Sequence, residues 1–385
     1  MKILFFDWGS YTYKDTREAF CKLGIEVKTV TYCFDDKNRD EFFIYRFSKE
    51  LKDCTYDAVF SINYFPLVAE CCHRQNVKYI AWSYDNPLNV YSIEETLGYS
   101  TNYVFLFDRA QAAGFISKGY DNVFHLPLAV NCERLDKIVP SKEDFERFGS
   151  TVSFVGKLYD SQYPLICSFF DDYQKGYVDA LINSQKELYG CYLLDNSITD
   201  EFIDEVNAKS QKKQGPVVSR EALNYALSSE ITRRERLLLL SLLGKHFDTK
   251  LYSRERNELL KDVTFMGSAG YLWEMPVVFK TTKINLNNTL KCLQTGIPLR
   301  ALDILGSGGF LLTNYQEEIA EYFEDGKDIA MYESAMDAFE KALYYSKNDE
   351  VRKKIAESGK EKARQLFNYR DRVVYMLEKS GCSLT

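Results

Sequence analysis

The sequence predicts an α/β chain made of two successive parallel-sheet halves, on three observations. Runs with apolar centres recur along it, among them "KILFFD", "AVFSIN" and "VKYIAWSYD". Strands buried on both faces read this way, and such strands belong to parallel sheets covered by helices. Segments with helical spacing lie between the runs, which is the alternation of a βαβ protein. The pattern then begins again: "FFDWGS" opens the first half and "FVGKLY" the second, each a strand running into a glycine turn.

Taken in order, residues 2–7 form the first strand, followed by a turn at Gly9 and a helix over "TREAFCKLG". "IEVKTVTY" is a second strand, "AVFSIN" a third, "FPLVAECCHRQN" a helix and "VKYIAWSYD" a fourth strand; "NYVFLFD" and "NVFHLPLAV" continue the series. The polar, turn-rich "VPSKEDFERFGS" (139–150) reads as a linker. Strands resume at "TVSFVGKLYD"; residues 160–242 are mostly helical, and "EITRRERLLLLSLLGKHF" reads as an amphipathic helix. "DTKLYS", "VTFMG", "KINLNN" and "GFLLTN" are short strands with helices between them. The acidic run "QEEIAEYFEDG" reads as a solvated helix face whose first glutamates, Glu317 and Glu318, favour the helix start.

The totals narrow the function. The 385 residues suffice for two or three domains, and 45% hydrophobic with 15% aromatic content is enough for sizeable cores. A net charge of −7 without long blocks argues against a nucleic-acid partner, which needs a basic face. No run approaches the roughly 20 apolar residues of a membrane helix. Asp7 interrupts the first apolar run, which is therefore a strand rather than a signal peptide. The ten cysteines contain no C-x-x-C and fit reduced thiols in a cytoplasm. His73, His125 and His246 lie far apart without zinc-type spacing, so no metal site is expected.

The most informative stretch is "GIPLRALDILGSGGFLLTNYQEEIAEYF" (296–323). Pro298 suits the first helical position, and the free N–H groups of residues 296–300 suit an anion. Arg300 adds a planar fork of donors matched to phosphate oxygens. Asp303, one turn on, can accept from ribose hydroxyls, while Gly306, Gly308 and Gly309 allow a tight return into "FLLTN". Together these suggest a nucleoside diphosphate. The same residues also describe a plain helix–turn–strand unit with a terminal charge and a surface arginine.

"KINLNNTLKCLQTGIPLRALDILGSGGFLLTNYQEEIAEYFEDGKDIAMYES" closely resembles the C-terminal domain of the CgeB-like (spore-maturation type) group of family 1-type glycosyltransferases. The segments "WSYDNP", "HLPLAVN", "SFVGKLYD", "VTFMGSAGYLWEMPVVFKTTKINLN" and "VRKKIAESGKEKARQLFNYRDRVVYML" resemble it too, and the likeness is thinnest over 1–75 and 160–225. The resemblance implies the GT-B fold: two Rossmann-like domains facing each other across a cleft, with a nucleotide sugar mainly on the second. It implies an N-terminal, acceptor-side domain over 1–140, a C-terminal, donor-binding domain over 151–365, and a final helix over 366–385 crossing back to the first.

By the same resemblance, Asp303 holds the donor ribose and Lys157 grips the diphosphate. Thr295 stands where related enzymes often carry a second glutamate, which leaves the retaining or inverting outcome open. Asn285, Asn287 and Asn288 would face the donor sugar or phosphate, and Gly267, Ser268 and Tyr271 the base, with a packing role for Tyr271 as the alternative. Gly9 would turn its loop toward donor or acceptor. Asp85 is either a general base for the acceptor hydroxyl or a turn residue before Asn-Pro. His125 either touches sugar or phosphate or bonds a backbone carbonyl.

The sequence contains no D-x-D triplet, which fits metal-independent chemistry in which a helix end and cationic side chains neutralise the diphosphate. The expectation is a cytoplasmic, metal-independent glycosyltransferase. Its donor is a nucleoside diphosphate sugar, taken as a UDP-sugar, with no separate cofactor. Its acceptor is an unidentified glycan, protein or small molecule. The alternatives are a nucleotide-sugar epimerase and an inactive nucleotide- or sugar-binding subunit.

Overall fold

A computed structural model describes residues 1–88, 93–160 and 162–382. The chain divides into two compact units: residues 1–132 together with 363–385, and residues 133–362.

In the first unit six strands form one sheet: β1 (Lys2–Asp7), β2 (Glu26–Thr31), β3 (Ala58–Ile62), β4 (Lys78–Ser83), β5 (Asn102–Leu106) and β6 (Val123–His125). Their order is β2-β1-β3-β4-β5-β6, and every pairing is parallel. The central strand β3 is buried at all five positions, which is why its sequence reads as one apolar run. β2 lies at the edge and has no fully buried residue, and it accordingly carries Glu26 and Lys28. The helix Tyr369–Lys379 belongs to this unit and packs on the helix Tyr13–Lys22 and on β5. Arg372 Nε donates to the Pro127 carbonyl at 2.9 Å, and the Tyr369 ring lies edge-on to Trp82.

The second unit holds β7 (Ser150–Val155), β8 (Thr249–Tyr252), β9 (Thr264–Gly267), β10 (Thr282–Asn287), β11 (Leu311–Asn314) and β12 (Ala330–Tyr332). The order is β12-β11-β10-β7-β8-β9, again all parallel. In each sheet the carboxyl ends of the strands therefore share one edge, where open α/β sheets bind ligands. A second apolar core, separate from that of the sheet, is formed by helices between Tyr163 and Ile231.

Several elements differ from the sequence reading. Residues 139–150, read as a linker, contain a helix. Lys142–Phe148 is helical, closed by a reciprocal capping box between Ser141 and Asp144. The helix read as amphipathic spans Arg220–Gly244 and is buried on several faces, because its first half packs in the helical core and its second half under the sheet. In "QEEIAEYFEDG" only part of the surface is solvated, since Glu318 is fully buried.

Candidate functional site

The helix Leu299–Ser307 connects β10 to β11 and starts at the carboxyl edge of the second sheet. Pro298 is its N-cap rather than its first helical residue, and no side chain caps the helix. The first-turn N–H groups have no acceptor within the helix beyond the bond from Ala301 N to the Pro298 carbonyl at 3.0 Å. At the other end Gly308 has φ +78, a left-handed cap that suits glycine. A Cβ on Gly309 would stand 2.8 Å from the Phe279 carbonyl, so the return into β11 passes too close for a side chain.

Asp303 is 6% exposed. One of its carboxylate oxygens accepts from Tyr271 Oη at 3.0 Å, and the other lies 3.3 Å from Arg300 Nη1. Arg300 is half-buried, donates from Nε to the Val155 carbonyl at 3.0 Å, and abuts the Met275 sulfur. The Arg300–Asp303–Tyr271 cluster thus links three elements: the end of β7, this helix, and the loop after β9. The Tyr271 ring also faces the Arg134 guanidinium, 5.9 Å away. Arg300 is therefore held by the protein itself, and a diphosphate would share its guanidinium with Val155 and Asp303.

The loop after β7 contains Lys157, whose side chain is exposed and, among the described residues, forms no ion pair. The loop's backbone is fixed from below. Arg236, 7% exposed, donates to the Lys157 carbonyl and to the Asn288 carbonyl, and lies against the rings of Phe154 and Tyr159. Burial lowers its pKa. Glu255 accepts from the N–H groups of Leu158 and Tyr159. Arg236 therefore ties together the loops after β7 and β10, a role the sequence reading missed. Its only sequence signal is a charge inside a leucine-rich helix. Next to it, Glu235 and Lys291 form a buried ion contact at 2.9 Å.

Asn285, Asn287 and Asn288, expected to face the donor, turn inward instead. Asn285 bonds Ser153 and the carbonyls of Phe279 and Phe310; Asn287 donates to Thr289 and Thr313; Asn288 bonds Arg236 and Tyr332. All three are buried. The strand end is polar in its core, so these amides spend their hydrogen bonds on the fold. Gly267 has φ +77 at the end of β9, and Ser268 beside it is exposed. Thr295 donates to the buried Glu318 at 2.9 Å, bringing a carboxylate to that loop from another helix.

In the first unit, Gly9, Asp85 and His125 stand at the carboxyl edge of its sheet, after or at the ends of β1, β4 and β6. Gly9 has φ +93 and donates its N–H to Asp7 at 2.9 Å. Asp85 is exposed and accepts from Asn63 Nδ2 at 2.7 Å. His125 is partly buried. Among the described residues, no three His, Cys, Asp or Glu side chains come together in a way that could hold a metal ion.

Residues 233–378 match the family described as "Glycosyl transferase-like". The whole chain is similar in fold to solved glycosyltransferase structures. A glycosyltransferase from Rickettsia africae is 11% identical, with TM-score 0.54 over 99% of both chains. Anabaena Alr3699/HepE, solved in complex with UDP and glucose, is 11% identical, with TM-score 0.53 over 98% of this chain and 99% of that one. Sucrose-phosphate synthase from Thermosynechococcus elongatus is 10% identical, with TM-score 0.57 over 98% of each chain. No curated protein matches the sequence. The fold is the GT-B architecture of these structures, and within it residues 233–378 carry the glycosyl transferase-like match. Among the described residues no helix is long and apolar enough to cross a membrane.

Proposed function

We propose that this protein transfers a sugar from a nucleoside diphosphate donor, a UDP-sugar, to an acceptor hydroxyl, without a metal or separate cofactor, in the cytoplasm. One observation carries the reading. An uncapped helix start, Arg300, and an Asp303 held by Tyr271 stand together at the carboxyl edge of a parallel sheet, in a chain with the GT-B fold. In this reading Asp303 binds the ribose. Arg300, Lys157 and the first-turn N–H groups take up charge on the leaving diphosphate. Gly267 and Ser268 border the base. Asp85, an exposed carboxylate held by Asn63, serves as base toward the acceptor. His125 and Gly9 contribute at the same edge of the first unit. The quoted motifs support placement in the CgeB-like group.

The UDP in the Anabaena complex supports the choice of nucleotide. The inward engagement of Arg300 favours a second reading, a subunit that binds the nucleotide without turnover. Incubation with a panel of nucleotide sugars and candidate acceptors separates the two. Transfer should persist in excess EDTA, and Asp85→Asn should lower it by about 100- to 10,000-fold while donor binding stays unchanged. Loss of transfer with EDTA and recovery with Mn²⁺ or Mg²⁺ would show the metal-independent reading to be wrong. Binding without any turnover would favour the second reading.

A further inference from the structure

The second unit contains a cavity of about 180 Å³ beside the site. Gln185 and Leu188–Tyr192 form one wall, and Thr289–Lys291, Leu293–Thr295, Asn314, Gln316 and Glu317, at and beyond the ends of β10 and β11, form the other. The volume is below the roughly 300 Å³ of the smallest drug-sized pockets and suits one ring rather than a nucleotide.

Three nearly buried side chains of the wall keep hydrogen-bonding capacity. Gln316, 5% exposed, donates twice from Nε2, to the carbonyls of Leu293 and Gly296, and its Oε1 has no partner among the described residues. Asn314, 3% exposed, accepts from Thr289 N and uses one N–H on the Tyr315 carbonyl, so its second N–H is unspent. The Thr289 hydroxyl accepts from Asn287, which leaves its O–H to donate. The cavity thus offers uncharged donors and an acceptor side by side. Lys291, its one lysine, is already committed: its Nζ lies 2.9 Å from Glu235, donates to the Leu188 carbonyl at 3.1 Å, and stands 4.0 Å from the Tyr189 ring centre. The remaining ionisable wall residue of full charge, Glu317, is negative and would repel a phosphate. Tyr189 and Tyr192 add apolar ring surface.

We propose that this cavity takes a single unphosphorylated sugar ring, read through its hydroxyls by Gln316, Asn314 and Thr289. The helical core of the second unit then acts as a specificity wall. The ring is either the sugar half of the donor, which rests on the function proposed above, or a sugar of the acceptor, which does not require that donor.

Saturation-transfer NMR on the full chain tests this. The probes are UDP, UDP-glucose, UDP-galactose, UDP-N-acetylglucosamine, GDP-mannose and the methyl glycosides of the same sugars. Cys191→Trp fills the cavity from an exposed position, and Leu290→Trp does so from the opposite wall. If the ring belongs to the donor, its protons are saturated in one nucleotide sugar. Each filling variant should then weaken that ligand at least about tenfold while UDP binding holds. If the ring belongs to the acceptor, a methyl glycoside gives the signal with or without UDP and loses it in both variants. A glycoside signal without any nucleotide signal would sink the donor reading and leave the cavity assigned. Silence of every sugar probe with wild type, or unchanged sugar signals in both folded variants, would overturn the proposal.

Discussion

Asp303 receives hydrogen bonds from a neutral phenol and a cation in a position almost closed to solvent, so its two neighbours should be separable by mutation. Asp303→Asn should weaken UDP and uridine alike, because its proposed partner is the ribose. Arg300→Ala should weaken UDP but not uridine. A charge-assisted bond contributes about 1.5–3 kcal/mol, which corresponds to roughly 10- to 150-fold. Arg300→Lys should recover only part, since a point charge cannot reproduce the fork that spans Val155 and Asp303. Calorimetry with both ligands checks this, and an equal loss of uridine in Arg300→Ala would mean that Arg300 acts by holding the loop. Glu235 offers a second test. Burial raises its carboxyl above the ordinary 4.5, against the pull of Lys291. A raised carboxyl stabilises the fold most below its unfolded value, and that contribution is lost as pH rises through the folded value. Glu235→Gln should therefore lose less stability than wild type as pH rises above 4.5. Lys291→Met should cost about 3–5 kcal/mol by leaving the acid alone, with partial recovery in the double variant. Thermal melts across pH read both effects.

At the scale of elements, what the sequence showed depended on burial. β3 and β4 were legible because strands covered on both faces are mostly apolar, with polar residues confined to Ser61 in one and to the ends, Lys78 and Ser83, in the other. β12 was not, because three residues, "AMY", carry no periodicity. The helix Lys142–Phe148 was hidden by its polar composition, although Ser141 and Asp144 carried the capping signal. At the site, Arg300, Asp303 and Tyr271 were legible as one helix start and one loop, and the structure joins them. Arg236 and Glu318 were not legible, because burial of a charge depends on partners distant in sequence: Asn288 for one and Thr295 for the other. Element packing also yields a prediction against propensity. Gly359 lies inside the helix Asp349–Leu366, where alanine ordinarily gains about 1 kcal/mol. Its added methyl would meet the Asp328 carbonyl and approach Leu305 Cδ2 to 2.8 Å. Asp328 cannot easily yield, since its carboxylate accepts from Lys362 and Ser358 at 2.6 Å each. Gly359→Ala should therefore destabilise by about 1–3 kcal/mol in chemical denaturation, and a gain would refute the packing argument.

For the whole molecule, the last segment is part of the first unit. Tyr369, Val373, Met376 and Leu377 are buried, and the Val130 N–H bonds the Phe367 carbonyl at 2.8 Å. Removing residues 363–385 should therefore expose the Trp82 face and unfold the first unit, while the second retains its cooperative melt. Hydrogen exchange resolved by segment checks this, and unchanged protection over residues 1–132 would contradict it. The same discontinuity imposes an order on biosynthesis. At the ribosome's about 5–20 residues per second, the 230 residues from 133 to 362 take roughly 10–50 s to emerge. For that interval the first-made half has its sheet strands but lacks the helix that seals them, and by its end the later-made half has every strand of its own sheet. The domain translated first is thus the last to be completed, and its apolar strands are exposed to chaperones or to aggregation for as long as the other domain takes to make.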